Sequence, residues 1–310
     1  MAGRLKFFAA TAIAAAFASS ACSSDPVPTG CGAAASADFA MDSPGIVQTI
    51  DLAASQVDAD DEGLWAITPD QLVRINPSSG ESEERVVLPD QPFDLAVAGD
   101  EVYVAVTDAG VMRLEGDSVT AVEGDFGGAP EFLTTSPEGL WISGADGTLT
   151  LIGCDGDVER QGAHEGGGPA ASVGDQLWFV GRDATDVVDA QSLEVIDELP
   201  LRSFGLPTEG GSGVWMTGGP QASLTLVDPQ TLDVVREGDL SSETRWVGSA
   251  VEIEDAVLAT GDPGTVLFID PDDLVVKSTI STGGSSRGLL PAFDRVWVAT
   301  GEAVVGIGSQ

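Results

Sequence analysis

Histidine is almost absent from this sequence: His164 is the single one among 310 residues. Catalytic triads and zinc sites that depend on histidine are therefore limited to one candidate position, with no second histidine for a ligand pair or a proton relay. No nucleophile elbow, P-loop or dinucleotide-binding glycine fingerprint occurs in a plausible context either. His164 lies shortly before a run of three glycines. We interpret it as a surface-loop residue between two repeats.

Basic residues are also scarce, with 13 Lys and Arg against 50 Asp and Glu and a net charge of −37 at pH 7. Such a surface repels nucleic acid and anionic lipid headgroups, which argues against either as a partner. The hydrophobic content of 43% distinguishes the chain from a disordered acidic tail. Two interpretations stay open: a solvated acidic surface suited to a saline or crowded exterior, or a surface that binds cations or a basic partner.

Long hydrophobic runs are missing, since no stretch reaches the roughly 18 continuous apolar residues of a spanning helix. Residues 1–21 nevertheless have the pattern of an export signal, because Arg4 and Lys6 precede a short apolar run from Phe7 to Phe17. We therefore predict a signal peptide at 1–21 and an extracytoplasmic location, at the cell surface or in the periplasm.

The end of this segment, Ser19-Ser-Ala-Cys22, resembles a bacterial lipobox, although serine stands where leucine is usual. We predict a lipid anchor at Cys22, which would be the protein's one contact with a membrane. Residues 22–44 are rich in Ser, Pro, Ala and Gly without periodicity, a composition typical of a flexible tether. Ordinary cleavage after Ala35-Ser-Ala37 is the alternative.

The rest of the sequence is organised by a repeat of about 40 residues. A large apolar residue, usually tryptophan, recurs in a strand-like segment behind a short turn, at steps of 37 to 43 residues. These marker residues are Trp65, Tyr103, Trp141, Trp178, Trp215, Leu258 and Trp297. Short strands bounded by Asp-Pro, Asn-Pro and Gly-Gly turns, without an amphipathic helix, predict an all-β fold, a seven-bladed β-propeller of four-stranded antiparallel blades.

The two ends of residues 45–310 complement each other. The last repeat has three strands and ends with Ala303–Ile307, while an unmatched strand-like segment occupies Gly45–Leu52. Pairing the N-terminal segment with the last blade closes the ring and removes exposed sheet edges. We therefore predict one domain over 45–310, and we expect a monomer.

Three cysteines are present, and lipidation of Cys22 would leave Cys31 and Cys154. Outside the cytoplasm these two could form a disulfide that pins the tether to the third blade. Two free thiols are the alternative. The spacing does not match a cysteine metal site. A second metal candidate, Asp58-Ala-Asp-Asp-Glu-Gly63, opens like a calcium loop but has Pro69 at the twelfth position, so a turn before Trp65 is favoured.

Arginine has an unusual distribution in blades five, six and seven. Arg202, Arg245 and Arg287 each lie at the start of an inner strand, and in a propeller these connections surround the channel mouth on one face, here called the top face. Three guanidinium groups in an acidic molecule predict an anion or carboxylate site. Alternatively, each arginine neutralises acidic neighbours such as Glu243 and Asp294. The candidate site residues are Arg202, Arg245, Arg287 and Trp246, with Asp94 and Glu131 at similar places in blades two and three.

The repeats resemble a known family. Val257-Leu-Ala-Thr, Thr265-Val-Leu-Phe-Ile-Asp-Pro and Arg295-Val-Trp-Val-Ala-Thr are similar to the YVTN-type repeat of seven-bladed propellers in bacterial surface and periplasmic proteins. The resemblance covers residues 45–310 and is strongest in blades five to seven, with threonine where the family usually has asparagine. Virginiamycin B lyase-like propellers are similar in architecture, but no residues here match their catalytic histidine and magnesium site. The resemblance implies the fold and a binding-platform role.

We predict from these observations an exported, lipid-anchored, non-catalytic binding platform whose protein partner or small anionic ligand is held at the top-face channel mouth. No cofactor is expected. One alternative is a lyase or lactonase-type propeller enzyme that uses carboxylates and a divalent cation in the channel. Another is a structural cell-envelope protein whose channel mouth has no convergent polar cluster.

Overall fold

The structure is a computed structural model, and it describes residues 39–164, 168–181, 183–286 and 288–310. These residues form 28 β-strands arranged in seven four-stranded antiparallel sheets, without a helix among them. The predicted seven-bladed β-propeller is thereby confirmed.

Blades one to six are each built from four consecutive strands. Blades one to three contain β2 (Gln56–Ala59), β3 (Leu64–Ile67), β4 (Gln71–Ile75), β5 (Ser82–Val87), β6 (Pro92–Ala98), β7 (Glu101–Val106), β8 (Gly110–Glu115), β9 (Ser118–Ala121), β10 (Pro130–Ser136), β11 (Gly139–Gly144), β12 (Thr148–Gly153) and β13 (Val158–Ala163). Blades four to six contain β14 (Ala170–Val173), β15 (Gln176–Val180), β16 (Thr185–Asp189), β17 (Val195–Leu199), β18 (Thr208–Gly210), β19 (Gly213–Thr217), β20 (Ser223–Val227), β21 (Val234–Asp239), β22 (Ala250–Ile253), β23 (Ala256–Thr260), β24 (Thr265–Ile269) and β25 (Val276–Ser281).

The seventh blade joins the two ends of the domain. It contains β26 (Leu290–Ala292), β27 (Arg295–Ala299), β28 (Val304–Ser309) and β1 (Pro44–Ile50). Strand β1 pairs with β28 from Pro44↔Ser309 to Ile50↔Val304, with a bulge between Ile46 and Gln48. The predicted closure of the ring by the N-terminal strand is confirmed.

The marker residues lie in the second strand of each blade, as the repeat predicts. Second strands such as β3 and β23 are buried along their whole length, because both faces of each sheet are covered by neighbouring blades. Trp215, for example, packs with Val257 and Leu267 of the next blade. One blade therefore cannot bury its apolar faces alone, which is why the sequence repeats.

The outer strands carry the exposed acidic residues and have bulged edges. Most residues of β5 and β21 are exposed. Where β20 pairs with β21, the register shifts between Leu226 and Val227. Similar shifts occur in five other blades. Charge and bulges on edge strands disfavour edge-to-edge association.

Two inner strands begin later than the sequence suggested. The sequence places Arg245 at the start of an inner strand, but β22 starts at Ala250 and the residues between them form a loop. The reason is that Val247 forms a bridge with Gly219 of the preceding blade rather than pairing within its own blade. In blade seven, likewise, β26 starts at Leu290 rather than directly after position 287.

The packed part of the chain starts before β1. Met41 is 1% exposed in a cluster with Val251 and Val296, and Phe39 packs against the same cluster. The backbone is held as well: the Met41 amide donates to Asp255 Oδ1 (3.2 Å), and the Glu254 amide donates to the Phe39 carbonyl (3.2 Å). The segment predicted as tether is thus joined to blade six at its C-terminal end.

Replacing Met41 by alanine should lower the free energy of unfolding by about 2–5 kcal/mol, the range for truncating a buried methionine. Denaturant unfolding of Met41→Ala measures this. Met41→Leu preserves most of the volume and should cost less than about 1.5 kcal/mol. If Met41→Ala unfolded at the wild-type denaturant concentration, the packing of this segment against blades six and seven would be refuted.

The predicted cysteine chemistry falls largely outside the described residues. Cys22 and Cys31 both lie there, together with the predicted signal peptide. Cys154 is disulfide-bonded, and its Sγ also lies 3.8 Å from the Glu138 carbonyl oxygen. Pairing of Cys154 with Cys31 and lipidation of Cys22 stay predictions.

Candidate functional site

Two aromatic side chains form the centre of a site on the top face. Phe204 and Trp246 lie in the loops that lead into the inner strands of blades five and six. Their ring centroids are 4.2 Å apart with an interplanar angle of 76°, an edge-to-face arrangement that aromatic pairs favour. Phe204 is 40% exposed and Trp246 is half-buried. The pair therefore presents apolar surface to the solvent.

The loops beneath these rings are held by hydrogen bonds to neighbouring blade elements. The Phe204 amide donates to the Thr217 carbonyl (2.6 Å), and the Thr217 hydroxyl donates to the Gly248 carbonyl (3.2 Å). The bridge between Gly219 and Val247 connects blades five and six directly. A loop tied in this way presents its aromatic rings in a fixed position, which lowers the entropy cost of binding.

Glycine is required under both rings. A Cβ on Gly219 would lie 2.3 Å from the Phe204 ring, and the φ of Gly219 is +55°, in the left-handed region. A Cβ on Gly248 would lie 2.9 Å from Trp246 Nε1. The two rings thus pack against glycines, where a side chain would collide with them.

Two of the three predicted arginines lie beside this aromatic pair. Arg202 Cζ is 5.4 Å from the centre of the Phe204 ring, a cation–π contact. Arg245 Nε lies 3.4 Å from Asp262 Oδ2, and the Arg245 amide donates to the other oxygen of the same carboxylate. The Arg245 side chain is 87% exposed, so this ion pair holds it weakly. Arg287 lies outside the described residues.

A cavity of about 390 Å³ adjoins the pair, between the loops of blades six and seven. Trp246, Gly261 and Pro263 contribute apolar surface, while Arg245, Asp262, Ser285 and Ser286 contribute polar groups. A concave, largely apolar surface with a few polar groups is typical of a binding site. The name Trp246 site is used below for this cavity together with Phe204 and Arg202.

Asp94 and Glu131 lie elsewhere. Both are on inner strands, β6 and β10, and no contact connects them with the Trp246 site in the part of the chain that the structure describes. Asp94 is buried and accepts hydrogen bonds from the amides of Leu95 (3.0 Å) and Leu133 (2.7 Å). Its carboxylate thus joins blade two to blade three.

Asp58 makes the equivalent contact between blades one and two. It accepts from the amides of Ala59 (2.9 Å) and Val97 (2.7 Å). Inner strands are sheet edges whose outward amides need acceptors, and the two carboxylates supply them. Burial raises the pKa of Asp58 to about 7 and that of Asp94 to about 6. Asp58 had been interpreted from sequence as part of a turn, so this role was missed.

The turn interpretation of the segment after Asp58 is confirmed. Asp60 accepts from the amides of Glu62 and Gly63 and from Trp65 Nε1 (2.7 Å), which closes the turn before the second strand. No group of three or more His, Cys, Asp or Glu side chains among the described residues is arranged to hold a metal ion.

The surface-loop interpretation of His164 is wrong. His164 is 5% exposed and stacks on Phe179, with ring centroids 4.4 Å apart. Its Nε2 lies 3.2 Å from Asp186 Oδ2, so the pair carries opposite charges when the histidine is protonated. Glycine-rich surroundings suggested exposure, but the contacts that bury His164 come from blade four and are not local in sequence.

Solved structures confirm the fold class. BamB from Moraxella catarrhalis superposes with a TM-score of 0.64 at 12% identity, covering 86% of this chain and 98% of that chain. The WD40 β-propeller domain of Doa1 gives a TM-score of 0.70 at 13% identity, covering 86% and 97%. At these identities the similarity establishes the architecture alone, and the chain is a β-propeller. No family model matches the sequence, and no curated protein matches it. Among the described residues, no helix is long and apolar enough to cross a membrane.

Proposed function

We propose that this β-propeller is a non-catalytic interaction scaffold that holds a protein partner at the Trp246 site. The observation that carries the proposal is the partly exposed pair of Phe204 and Trp246 beside a cavity of about 390 Å³. Tryptophan and arginine are enriched among residues that dominate binding energy. In a chain with 13 basic residues, Arg202 and Arg245 both flank this one aromatic pair.

The chemistry of the site indicates the kind of partner. An aromatic or aliphatic side chain would enter the cavity against Trp246. A carboxylate next to it would be attracted by Arg202, and also by Arg245, whose exposed ion pair with Asp262 is easily exchanged. The partner is therefore a protein segment that combines an apolar anchor with an acidic group, and a small aryl carboxylate mimics it.

The cellular setting belongs to the same proposal. The basic start and apolar run of residues 1–21 support export, and Ser19-Ser-Ala-Cys22 supports a lipid anchor outside the cytoplasm. The resemblance of blades five to seven to the YVTN-type repeat supports a relationship of this protein to the bacterial surface and periplasmic propellers. A scaffold anchored in this way would present its top face to other envelope proteins.

Site-specific photo-crosslinking tests the scaffold. A benzophenone amino acid in place of Ser286, which lines the cavity, should give a defined adduct in intact cells, and Trp246→Ala should abolish it. Loss of such an anchor costs at least about 2 kcal/mol, roughly a 30-fold loss of affinity. The matched control places the same probe at Phe93, an exposed phenylalanine of blade two on the same face. Identical adducts from both positions, or an adduct that survives Trp246→Ala, would contradict the proposal.

A thermal-shift series with phenylacetate, phenylacetamide, MgCl₂ and CaCl₂ separates the scaffold from its rivals. A ligand at 100 times its Kd stabilises by about 2.7 kcal/mol, which is visible as a higher Tm. We expect phenylacetate to raise the Tm of the wild type and not of Phe204→Ala or Trp246→Ala. A rise with the metal ions alone would instead favour the cation-dependent enzyme.

A further inference from the structure

A second cavity lies on the face opposite the Trp246 site, between blades three and four. It encloses about 190 Å³, and the residues that line it include Glu138, Trp141, Ser172 and Ala190. These residues belong to the turns and strand ends remote from the top-face loops. The cavity is therefore independent of the proposed scaffold site.

The cavity is lined by a tryptophan whose polar atom has no partner. Trp141 is 3% exposed, and its Nε1 is buried without a hydrogen-bond acceptor among the described residues. The equivalent indoles of blades one, four, five and seven each have an acceptor. Trp65 donates to Asp60 (2.7 Å), Trp178 to Gln176 (2.9 Å), Trp215 to Glu252 (2.8 Å) and Trp297 to the Ala292 carbonyl (3.1 Å). A buried donor without an acceptor is costly, which makes the exception informative.

The repeat shows what blade three lacks. Glu252 lies opposite Val257 on the inner strand of blade six and reaches back to blade five, where it accepts from Trp215 Nε1 and from Ser212. Glu209 holds the same position in blade five, opposite Val214, and accepts from the Gly174 amide of blade four (3.1 Å).

Blade four has a serine at this position. Ser172 lies opposite Leu177, as Glu252 lies opposite Val257. Its side chain is shorter than that of glutamate by roughly one acetate group, and Ser172 lines the cavity together with Trp141. The cavity thus occupies the place where the glutamate side chain would lie, in front of the unsatisfied indole.

A cation lies next to this space. Arg160 Nη1 donates to Glu138 Oε2 (2.9 Å) and to the Ala190 carbonyl (2.8 Å), and its Cζ is 5.8 Å from the centre of the Trp141 ring. Glu138, Ala190 and Trp141 all line the cavity, so the guanidinium lies behind three of the lining residues. Two carboxylates, Glu138 and Asp175, also line the cavity. The ion pair with Arg160 offsets the charge of Glu138, which lowers the repulsion that an anion would meet there.

We propose that this cavity binds the carboxylate of a small organic acid, which takes the place of the missing glutamate side chain and accepts a hydrogen bond from Trp141 Nε1. Acetate and propionate match the missing fragment in size and chemistry. Because few atoms make contact, half-saturation is expected at concentrations on the order of millimolar.

The test uses the indole N–H signals of the full chain labelled with ¹⁵N-tryptophan. Trp141→Phe assigns the Trp141 signal by removing it. Sodium acetate, added at constant ionic strength against sodium chloride, should shift that signal downfield along a saturating curve. Trp215, whose N–H is already bonded to Glu252, is the matched internal control and should not move.

Ser172→Glu tests the position directly. In this variant the Trp141 signal should lie downfield before any acid is added, and acetate should no longer shift it. Should the variant fail to fold, the wild-type titration with acetamide takes its place, and we expect at least tenfold weaker binding than acetate. A response that is linear and shared by all indoles, or equal binding of acetamide, would overturn the proposal.

Discussion

Deletion of residues 39–50 should abolish cooperative unfolding and leave a protein that associates. Strand β1 supplies the fourth strand of blade seven, and Met41 and Ile50 are buried in the clusters on either side of that blade. Without this segment, the backbone edge of β28 and its buried residues Val305 and Ile307 become exposed. An unpaired apolar edge is a template for association with other chains.

Thermal unfolding followed by circular dichroism, with size-exclusion chromatography, measures this outcome. The matched control is deletion of residues 1–38, which keeps every strand of the ring. Both deletions are measured in a reducing buffer, because the control removes Cys22 and Cys31 and with them any disulfide of Cys154. The control should retain a single sharp transition and a monomeric elution volume. A deletion of 39–50 that still melted in one transition as a monomer would show that the ring does not depend on its closing strand.

Lowering the pH from 8 to 5 should raise the stability of the ring, because of Asp58 and Asp94. Burial raises the pKa of these carboxyl groups to about 7 and about 6, against about 3.9 for an unfolded aspartate. Between the pKa of the unfolded state and that of the folded state, the folded protein binds more protons than the unfolded chain. The stabilisation is therefore fully present below about pH 4 and is lost as the pH rises through 6 and 7.

For each group, the free energy of unfolding should change with pH by at most about 1.4 kcal/mol per pH unit. Asp94 is buried, so its contribution should approach this limit near pH 5. Asp58 is half-buried, and solvent contact reduces the cost of its charge. Its contribution should fall below the limit that a pKa of about 7 would give.

Asparagine variants separate these two groups from the general relief of acidic repulsion at low pH. Asp58→Asn and Asp94→Asn should each flatten the dependence of the unfolding free energy on pH between 5 and 8. Asp228→Asn is the matched control, since Asp228 lies in an exposed turn where the Thr231 amide holds its pKa below the usual range. If the unfolding free energies of Asp58→Asn and Asp94→Asn both depended on pH as the wild type does, these carboxylates would not control the pH dependence.

Much of the fold could be predicted because its signals are local. A marker residue with a turn before it describes one blade, and the spacing from Trp65 to Trp297 counts seven of them. The missing strand of the last repeat, matched by Gly45–Leu52, then indicates the closure observed between β1 and β28. Each blade is recognised from residues close together in the sequence, and the closure follows from counting the strands of the repeats.

The candidate site could be predicted in part. The arginines and Trp246 stood out because they occupy equivalent positions in adjacent repeats, and Arg202, Arg245 and Trp246 do lie near one another. The role of Phe204, the partner of Trp246, was not foreseen. The Phe204 ring packs against Gly219, which lies in a different loop, and only a glycine leaves room for the ring there.

The sequence by itself determined the number of blades, the way the ring closes and the acidic character of the surface, because periodicity and composition need no knowledge of distant contacts. Tertiary structure alone decided which polar atoms meet between blades. Asp58 and Asp94 bond to the amides of the next blade, His164 is buried by blade four, and Trp141 faces a serine where Trp215 has a glutamate. These pairings join residues about 20 to 40 positions apart, and the packing of one blade on the next sets them.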